Sequence, residues 1–152
     1  MPTHCPETVT HESSEGVCGP ATMLRFSDDG GLTQFGAFVE CLPPGSSSSI
    51  KHWHSDEDEM VYMLAGEVLV HEGVSTTPLR PGGAATFKAG VTAGHFLQNA
   101  SETEARYLVI GTRPPADRCT YPENDCVLIR TEEGHHWTTL DGQPRGTPYS
   151  MD

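Results

Sequence analysis

The chain of 152 residues has the length of one ordinary domain, and its 16 glycines and 12 prolines favour short segments joined by turns over a helical bundle. Nine basic against 21 acidic side chains give a net charge of −12, which repels phosphate backbones and anionic lipid, so we expect no nucleic-acid or membrane partner. The sequence contains no apolar run near the roughly 20 residues of a membrane helix and begins with a polar, acidic segment unlike a signal peptide, which predicts a cytoplasmic protein.

The pattern of apolar and polar residues predicts a series of short strands. Residues 32–41 alternate between apolar and small or polar side chains, as in a half-buried strand, and a loop rich in proline and serine follows. Further short strands are predicted at 50–54, 60–64, 67–71, 78–79, 84–87, 95–99 and 106–111. Strands this short and evenly spaced predict an all-β, antiparallel barrel or sandwich over residues 32–112. We expect residues 1–31 to pack on this barrel as an N-terminal segment and residues 113–152 to form a C-terminal extension.

The cysteines give little indication of chemistry. Their number, five, is odd, and no C-x-x-C pair occurs, so reduced thiols are predicted rather than disulfides or a zinc knuckle. Cys41 lies in an apolar run and is expected to pack as a small hydrophobic residue. The other four lie in polar terminal segments and receive no predicted role: Cys5, Cys18, Cys119 and Cys126.

The informative segment surrounds His52 and His54. Two histidines at i and i+2 of a strand point to one face, roughly 6.6 Å apart along the backbone, so both can bind one divalent ion. Residues 55–58 suit a hairpin turn that would return Glu59 beside the histidines, and His95, after a loop of small residues, is a candidate fourth ligand. Taken singly, each histidine is better explained as a residue of a polar, solvated strand face. Taken together, their spacing favours a metal site.

Two spaced motifs resemble the two signatures of the cupin superfamily. They are Gly45-x6-His52-x-His54-x4-Glu59-x6-Gly66 and a second that runs from Gly83 through Ala89 and Gly90 to His95-x3-Asn99. The second departs from the family pattern in having Ala89 in place of the usual proline and in placing His95 one residue late. The resemblance covers residues 32–112. The wider sequence is similar to small stand-alone bacterial cupins of uncertain activity.

The resemblance implies a double-stranded β-helix, or jelly-roll, barrel with a metal inside. Carried over residue by residue, the ligands of one divalent transition metal would be His52, His54, Glu59 and His95, with Fe, Mn, Ni, Zn, Cu or Co all compatible. Glu59 would be the catalytic candidate, as a ligand able to detach and serve as a base. Cupins include oxygenases, isomerases, decarboxylases, lyases and binding modules, so the fold does not select the reaction.

Three functions remain open at this point. The favoured one is a metal-dependent enzyme acting on a small molecule, with an oxygenase placed ahead of an isomerase or a lyase. The alternative is a non-catalytic cupin that binds or senses a small ligand. A purely structural barrel fits least, because four buried polar ligands without a metal would be costly.

Strand alternation predicts which neighbouring side chains line the barrel. If Glu59 faces the metal, Tyr62 points to the outer face, and Trp53, between two ligands, also points outward. Tyr107 and the pair Arg106 and Arg113 are further candidates for the pocket. Small barrels leave edges and outer aromatic faces to cover, so we expect a homodimer that uses Trp53, Tyr62 and the terminal segments.

Overall fold

The computed structural model describes residues 3–150, and residues 1, 2, 151 and 152, at the ends of the two predicted flanking segments, lie outside the described part. In chain order the elements are β1 (His11–Ser14), β2 (Ala21–Leu24), α1 (Phe26–Asp29), β3 (Phe35–Leu42), β4 (Trp53–His54), β5 (Glu59–Ala65), β6 (Val68–Glu72), β7 (Ser75–Leu79), β8 (Ala84–Phe87), β9 (His95–Gln98), β10 (Ala105–Thr112), β11 (Asp117–Tyr121), a 3-10 turn (Pro122–Asn124), β12 (Cys126–Thr131) and β13 (Gly134–Thr138). The predicted all-β fold is confirmed.

Antiparallel pairing arranges the strands of residues 3–150 in three sheets. The largest has the order β1-β2-β3-β10-β5-β8, a second has the order β13-β12-β11-β4, and a third has the order β7-β6-β9. The interior is filled by the inward side chains of β3, β5 and β10, among which Leu42, Met63 and Tyr107 are fully buried. No helix of the described residues is long and apolar enough to cross a membrane.

The register of β3, β10 and β5 arranges their inward side chains in rows across the largest sheet. In order from Glu40 to Glu59, the rows are Glu40–Tyr107–Met63, Phe38–Val109–Val61 and Gly36–Gly111–Glu59. The row at Glu59 has two glycines, and a Cβ at Gly111 would lie 2.5 Å from a carboxylate oxygen of Glu57. The missing side chains therefore leave room for polar groups at one end of the barrel.

The predicted hairpin between the histidine strand and Glu59 is wrong. β4, which carries His54, pairs with β11 through Cys119, whereas β5 pairs with β10 and β8. Residues 55–58 therefore cross from one sheet to another instead of closing a two-stranded turn. Glu59 meets the histidines across the interior of the barrel, because the two segments belong to different sheets.

Candidate metal centre

The four side chains predicted as ligands converge on one point inside the barrel. The Nε2 atoms of His95, His54 and His52 lie 2.9, 3.5 and 3.9 Å from the same oxygen, Oε2 of Glu59. A backbone bridge joins His52 to His95, and the ring of His95 stacks on Phe87 with 3.7 Å between the ring centroids. All four side chains are largely buried.

The ring hydrogen bonds of two histidines fit a metal ligand set. Nδ1 of His52 donates to the carbonyl of Ile50 at 2.8 Å, and Nδ1 of His54 donates to Oδ2 of Asp117 at 2.7 Å. A neutral imidazole that donates from Nδ1 has its lone pair on Nε2, which in both rings faces Glu59. Three imidazoles and one carboxylate are a donor set that suits divalent transition metals, so these residues fit the predicted ion.

Burial and neighbouring charges set the protonation states of the cluster. Burial, together with the neighbouring imidazole of His95, lowers the pKa of His52 to about 4, which leaves it neutral at pH 7. Burial opposes ionisation of Glu59, but the hydrogen bond from His95 and the nearby imidazoles of His54 and His52 outweigh it and lower its pKa. Burial lowers the pKa of His54, but its hydrogen bonds to Asp117 and Cys119 outweigh burial and raise the pKa to about 11. A cation bound by all three imidazoles would therefore have to displace a proton from His54.

A second layer of polar residues orients His54. Oδ2 of the buried Asp117 accepts hydrogen bonds from His54 and, at 2.8 Å, from Arg130. Arg130 also donates to Glu57 at 2.5 Å, and a carboxylate oxygen of Glu57 lies 3.8 Å from His54. Cys119 brings its thiol sulfur within 4.8 Å of ring nitrogens of His52 and His54.

Sequence reasoning missed this second layer. Asp117 is 63 residues from His54 along the chain, and Arg130 lies on a different strand, so no spacing motif connects them. Cys119, left without a role at the sequence level, sits next to the cluster because it is the pairing partner of His54. The pairing of β4 with β11 is the fact that brings these groups together.

A cavity of about 120 Å³ lies beside the cluster. It can hold several water molecules or a fragment of a few carbon and oxygen atoms. Its wall is mostly apolar, with Phe38, Val61, Leu97 and Val109 among the lining residues. Its lining residues are Phe38, Glu40, Ser48, Ser49, His52, Glu59, Val61, Phe87, His95, Leu97, Tyr107 and Val109.

A second cavity, of about 210 Å³, opens at the other side of Glu59 and shares Phe38, Glu59 and Val109 with the first. Arg113, a predicted pocket candidate, and Arg130 are partly exposed at this opening. Both guanidinium groups form ion pairs, Arg113 with Asp28 and Arg130 with Glu57 and Asp117. This cavity, which we call the charged cavity, is therefore lined by ion-paired side chains next to Glu59.

We call the cavity of about 120 Å³ the inner cavity. It is lined by the carboxyl of Glu40, which was not predicted as a site residue from the sequence. Glu40 is only 7% exposed, and its Oε2 accepts a hydrogen bond of 2.9 Å from the hydroxyl of the fully buried Tyr107. Burial raises the pKa of Glu40 to about 7, although the bond from Tyr107 acts in the opposite direction. The signal in the sequence was a single acidic residue in the apolar strand Phe35–Leu42, on the face of Phe38.

Replacing Glu40 by glutamine is expected to stabilise the protein at alkaline pH. The pKa of Glu40 is raised on folding, so ionising the carboxyl costs stability as pH rises through 4.5 and then 7. Glu40→Gln removes that cost, which reaches about 3 kcal/mol above pH 8 and vanishes below pH 4. Urea unfolding at pH 5 and pH 8 measures the difference. Glu104→Gln, at an exposed position, is the control, and a pH-independent difference for Glu40→Gln would contradict the prediction.

Other predicted positions divide between the interior and the outer surface. Tyr62 is 40% exposed, as strand alternation predicted, and Tyr107 lines the inner cavity. Arg106 lies on the opposite face of β10, where it pairs with Glu104, so it does not line the pocket as predicted.

Comparisons with known proteins agree with this architecture. The family model described as a cupin domain matches residues 38–111. A crystal structure named a sugar phosphate isomerase of the cupin superfamily, from Silicibacter pomeroyi, is 30% identical, with a TM-score of 0.85, and the match covers 97% of this chain and 99% of that one. A putative sugar phosphate isomerase from Acidithiobacillus ferrooxidans has a TM-score of 0.81 at 23% identity, over 93% of this chain and 92% of that one, and shows the fold alone.

One curated relative matches over a shorter region. The oxalate-binding protein of Thermotoga maritima is 32% identical over 69 residues, which are 45% of this chain. The match spans about half of that protein's length, 54%. Together with the nearly full-length match at 30% identity, the comparisons show that this chain belongs to the cupin superfamily.

Proposed function

We propose that this cupin is a metal-dependent isomerase of small sugar phosphates, with one divalent transition metal bound by His52, His54, Glu59 and His95. The observation that carries the proposal is the convergence of three imidazole nitrogens on one carboxylate oxygen, each within 3.9 Å. The nearly full-length similarity to a protein named a sugar phosphate isomerase supports the reaction class.

The bound ion would polarise a carbonyl or hydroxyl oxygen of the substrate as a Lewis acid. The apolar wall of the inner cavity would exclude water from the reacting carbons, and the charged cavity beside Glu59 would hold the polar remainder of the substrate. Nothing in the donor set selects among Fe, Mn, Ni, Zn, Cu and Co.

The proposal places an isomerase ahead of the oxygenase that the sequence favoured. The Silicibacter pomeroyi protein is named an isomerase, whereas no comparison favours an oxygenase. Glu59 is proposed as a ligand only, because its Oε2 faces three imidazoles and has little freedom to act as a base. A base must then come from elsewhere in the cavity.

A non-catalytic binding protein is the second candidate. The similarity to an oxalate-binding protein favours it, since a small dicarboxylate fits a metal in a cavity of about 120 Å³. This candidate predicts that small acids bind in proportion to the metal content and leave unchanged. The same experiment therefore tests both functions.

The test is isomerisation in D2O without oxygen. The metal-loaded protein is incubated with a panel of aldose and ketose phosphates, and NMR follows isomer formation and deuterium at the carbon next to the carbonyl. An isomerase is expected to form the isomer and to incorporate deuterium anaerobically, because the moved proton exchanges with solvent. Turnover that requires oxygen would support an oxygenase function in place of the isomerase. Binding of oxalate without turnover of any sugar phosphate would favour the non-catalytic binding protein.

The homodimer expected from the sequence stays a prediction. Tyr62 and Leu64 are exposed on the outer face of β5, and Leu64 lines a shallow surface depression together with Leu24 and Val39. We propose that this outer face is covered by a second copy of the chain. The cytoplasmic location expected from the sequence also stays a prediction.

A further inference from the structure

Glu40 is the acidic group of the inner cavity that lies outside the proposed metal ligand set. It lies two rows from Glu59 on the inner face of the largest sheet, with Phe38, Val109 and Val61 in the row between them. Both carboxyls line the same cavity of about 120 Å³. A molecule that reached the metal ligands and filled this cavity would therefore contact Glu40.

Burying a carboxyl in this position carries a cost that packing alone does not explain. An apolar residue of similar size would fill the space beside Leu97 and Val61 without desolvating a polar group. The carboxyl is also held in place, because the hydroxyl of Tyr107 donates to it at 2.9 Å. Destabilising groups retained in a cavity are typical of functional sites.

We propose that Glu40 is the catalytic carboxyl that moves the proton, and that Tyr107 positions it. This inference rests on the proposed isomerase function. The Glu40 carboxylate takes the proton from the carbon that bears the hydroxyl next to the carbonyl. The C–H electron pair forms the C=C bond of an enediolate, and the carbonyl π pair moves onto its oxygen. The same carboxyl returns the proton to the neighbouring carbon, while the hydroxyl proton passes to the former carbonyl oxygen. The sum is an isomerisation with no oxidant or co-substrate.

The protonation state of Glu40 suits this role. Its pKa of about 7 leaves a large fraction ionised at neutral pH and still lets the acid return a proton. The titratable groups around it are Tyr107 from β10, the thiol of Cys18 from the segment between β1 and β2, and Cys41 on its own strand. Across the cavity it faces the predicted metal ligands His52, Glu59 and His95.

The first experiment compares Glu40→Gln with the wild type in the deuterium assay. The amide keeps the shape of the side chain but cannot take a proton, so we expect kcat to fall by about 100-fold or more. Metal content and KM should stay near those of the wild type, because Glu40 is outside the proposed ligand set. Glu104→Gln, at an exposed position on the outer surface, is the matched control and should behave as wild type.

The second experiment tests the positioning role through the pH profile. The hydroxyl of Tyr107 stabilises the ionised form of Glu40, so Tyr107→Phe should raise the pKa of that carboxyl. The acidic limb of the kcat profile is then expected to move to higher pH by about one unit, with activity recovering at alkaline pH. A role limited to packing would lower activity equally at every pH.

The outcomes separate this inference from the function on which it rests. A wild type that isomerises and a Glu40→Gln variant with the same kcat would overturn the role of Glu40 and leave the isomerase standing. A variant that loses its metal would also overturn it, because the effect would then act through the ion. A wild type without exchange on any sugar phosphate would overturn both proposals. If Glu40→Gln does not fold, the shift in Tyr107→Phe decides, and an unshifted profile counts against the role.

Discussion

Replacing both His52 and His54 by alanine is expected to abolish stoichiometric metal binding. The two imidazoles supply half of the proposed ligands, and their Nε2 atoms lie 3.9 and 3.5 Å from Oε2 of Glu59. The remaining carboxylate and single imidazole cannot hold a transition metal through purification. Elemental analysis of the purified variant is expected to show well below one metal per chain, against one in the wild type.

The matched control is the adjacent pair His135 and His136. Both are exposed on β13, so the His135→Ala/His136→Ala variant removes two imidazoles without touching the cluster. It should retain the metal content of the wild type. One metal per chain in the His52→Ala/His54→Ala variant would refute the ligand assignment, and loss of metal in the control would mean that histidines outside the cluster bind it.

The second large effect is expected at Asp117. Its buried carboxylate accepts hydrogen bonds from His54, Arg130 and the backbone of Asp56. Asp117→Asn removes that charge from His54 and leaves the partly exposed Arg130 paired with Glu57 alone. We expect the free energy of unfolding to fall by about 2 kcal/mol at pH 7, because charge-assisted hydrogen bonds to a buried carboxylate are weakened. Metal affinity should fall by about 10–100-fold, because the partner that orients His54 is weakened. Urea unfolding and competition with a chelator measure the two effects.

The loss of stability at Asp117 should depend on pH in a defined direction. Hydrogen bonds from His54 and Arg130 outweigh burial and hold the pKa of Asp117 well below its usual range. A depressed pKa contributes stability above the pKa of the unfolded state, near 4, and that contribution is lost as pH falls. The difference between wild type and Asp117→Asn should therefore shrink between pH 5 and pH 2. Asp141→Asn, at an exposed position, is the control, and a constant difference would contradict the mechanism.

The sequence was sufficient to predict the fold and the four residues that meet. The alternation of short apolar strands and glycine-rich turns gave the all-β fold, and the spacing His52-x-His54 with Glu59 and His95 predicted a cluster that the structure brings together. The shared face of His52 and His54 depends on local properties, whereas Glu59 and His95 reach them from other strands and were assigned through the resemblance to the cupin signatures. Strand periodicity decides which side chains share a face, and a short spacing keeps neighbouring ligands near one another.

Only the tertiary structure decided how the cluster is supported and what lies beside it. The sequence suggested a hairpin from His54 to Glu59, but β4 pairs with β11, which brings Asp117 from 63 residues away to the ring of His54. In the sequence, Glu40 is one acidic residue in an apolar strand. The register with β10 places it against Tyr107 inside the cavity. Pairing between strands distant in sequence depends on the packing of the whole barrel, so no local pattern could reveal these contacts.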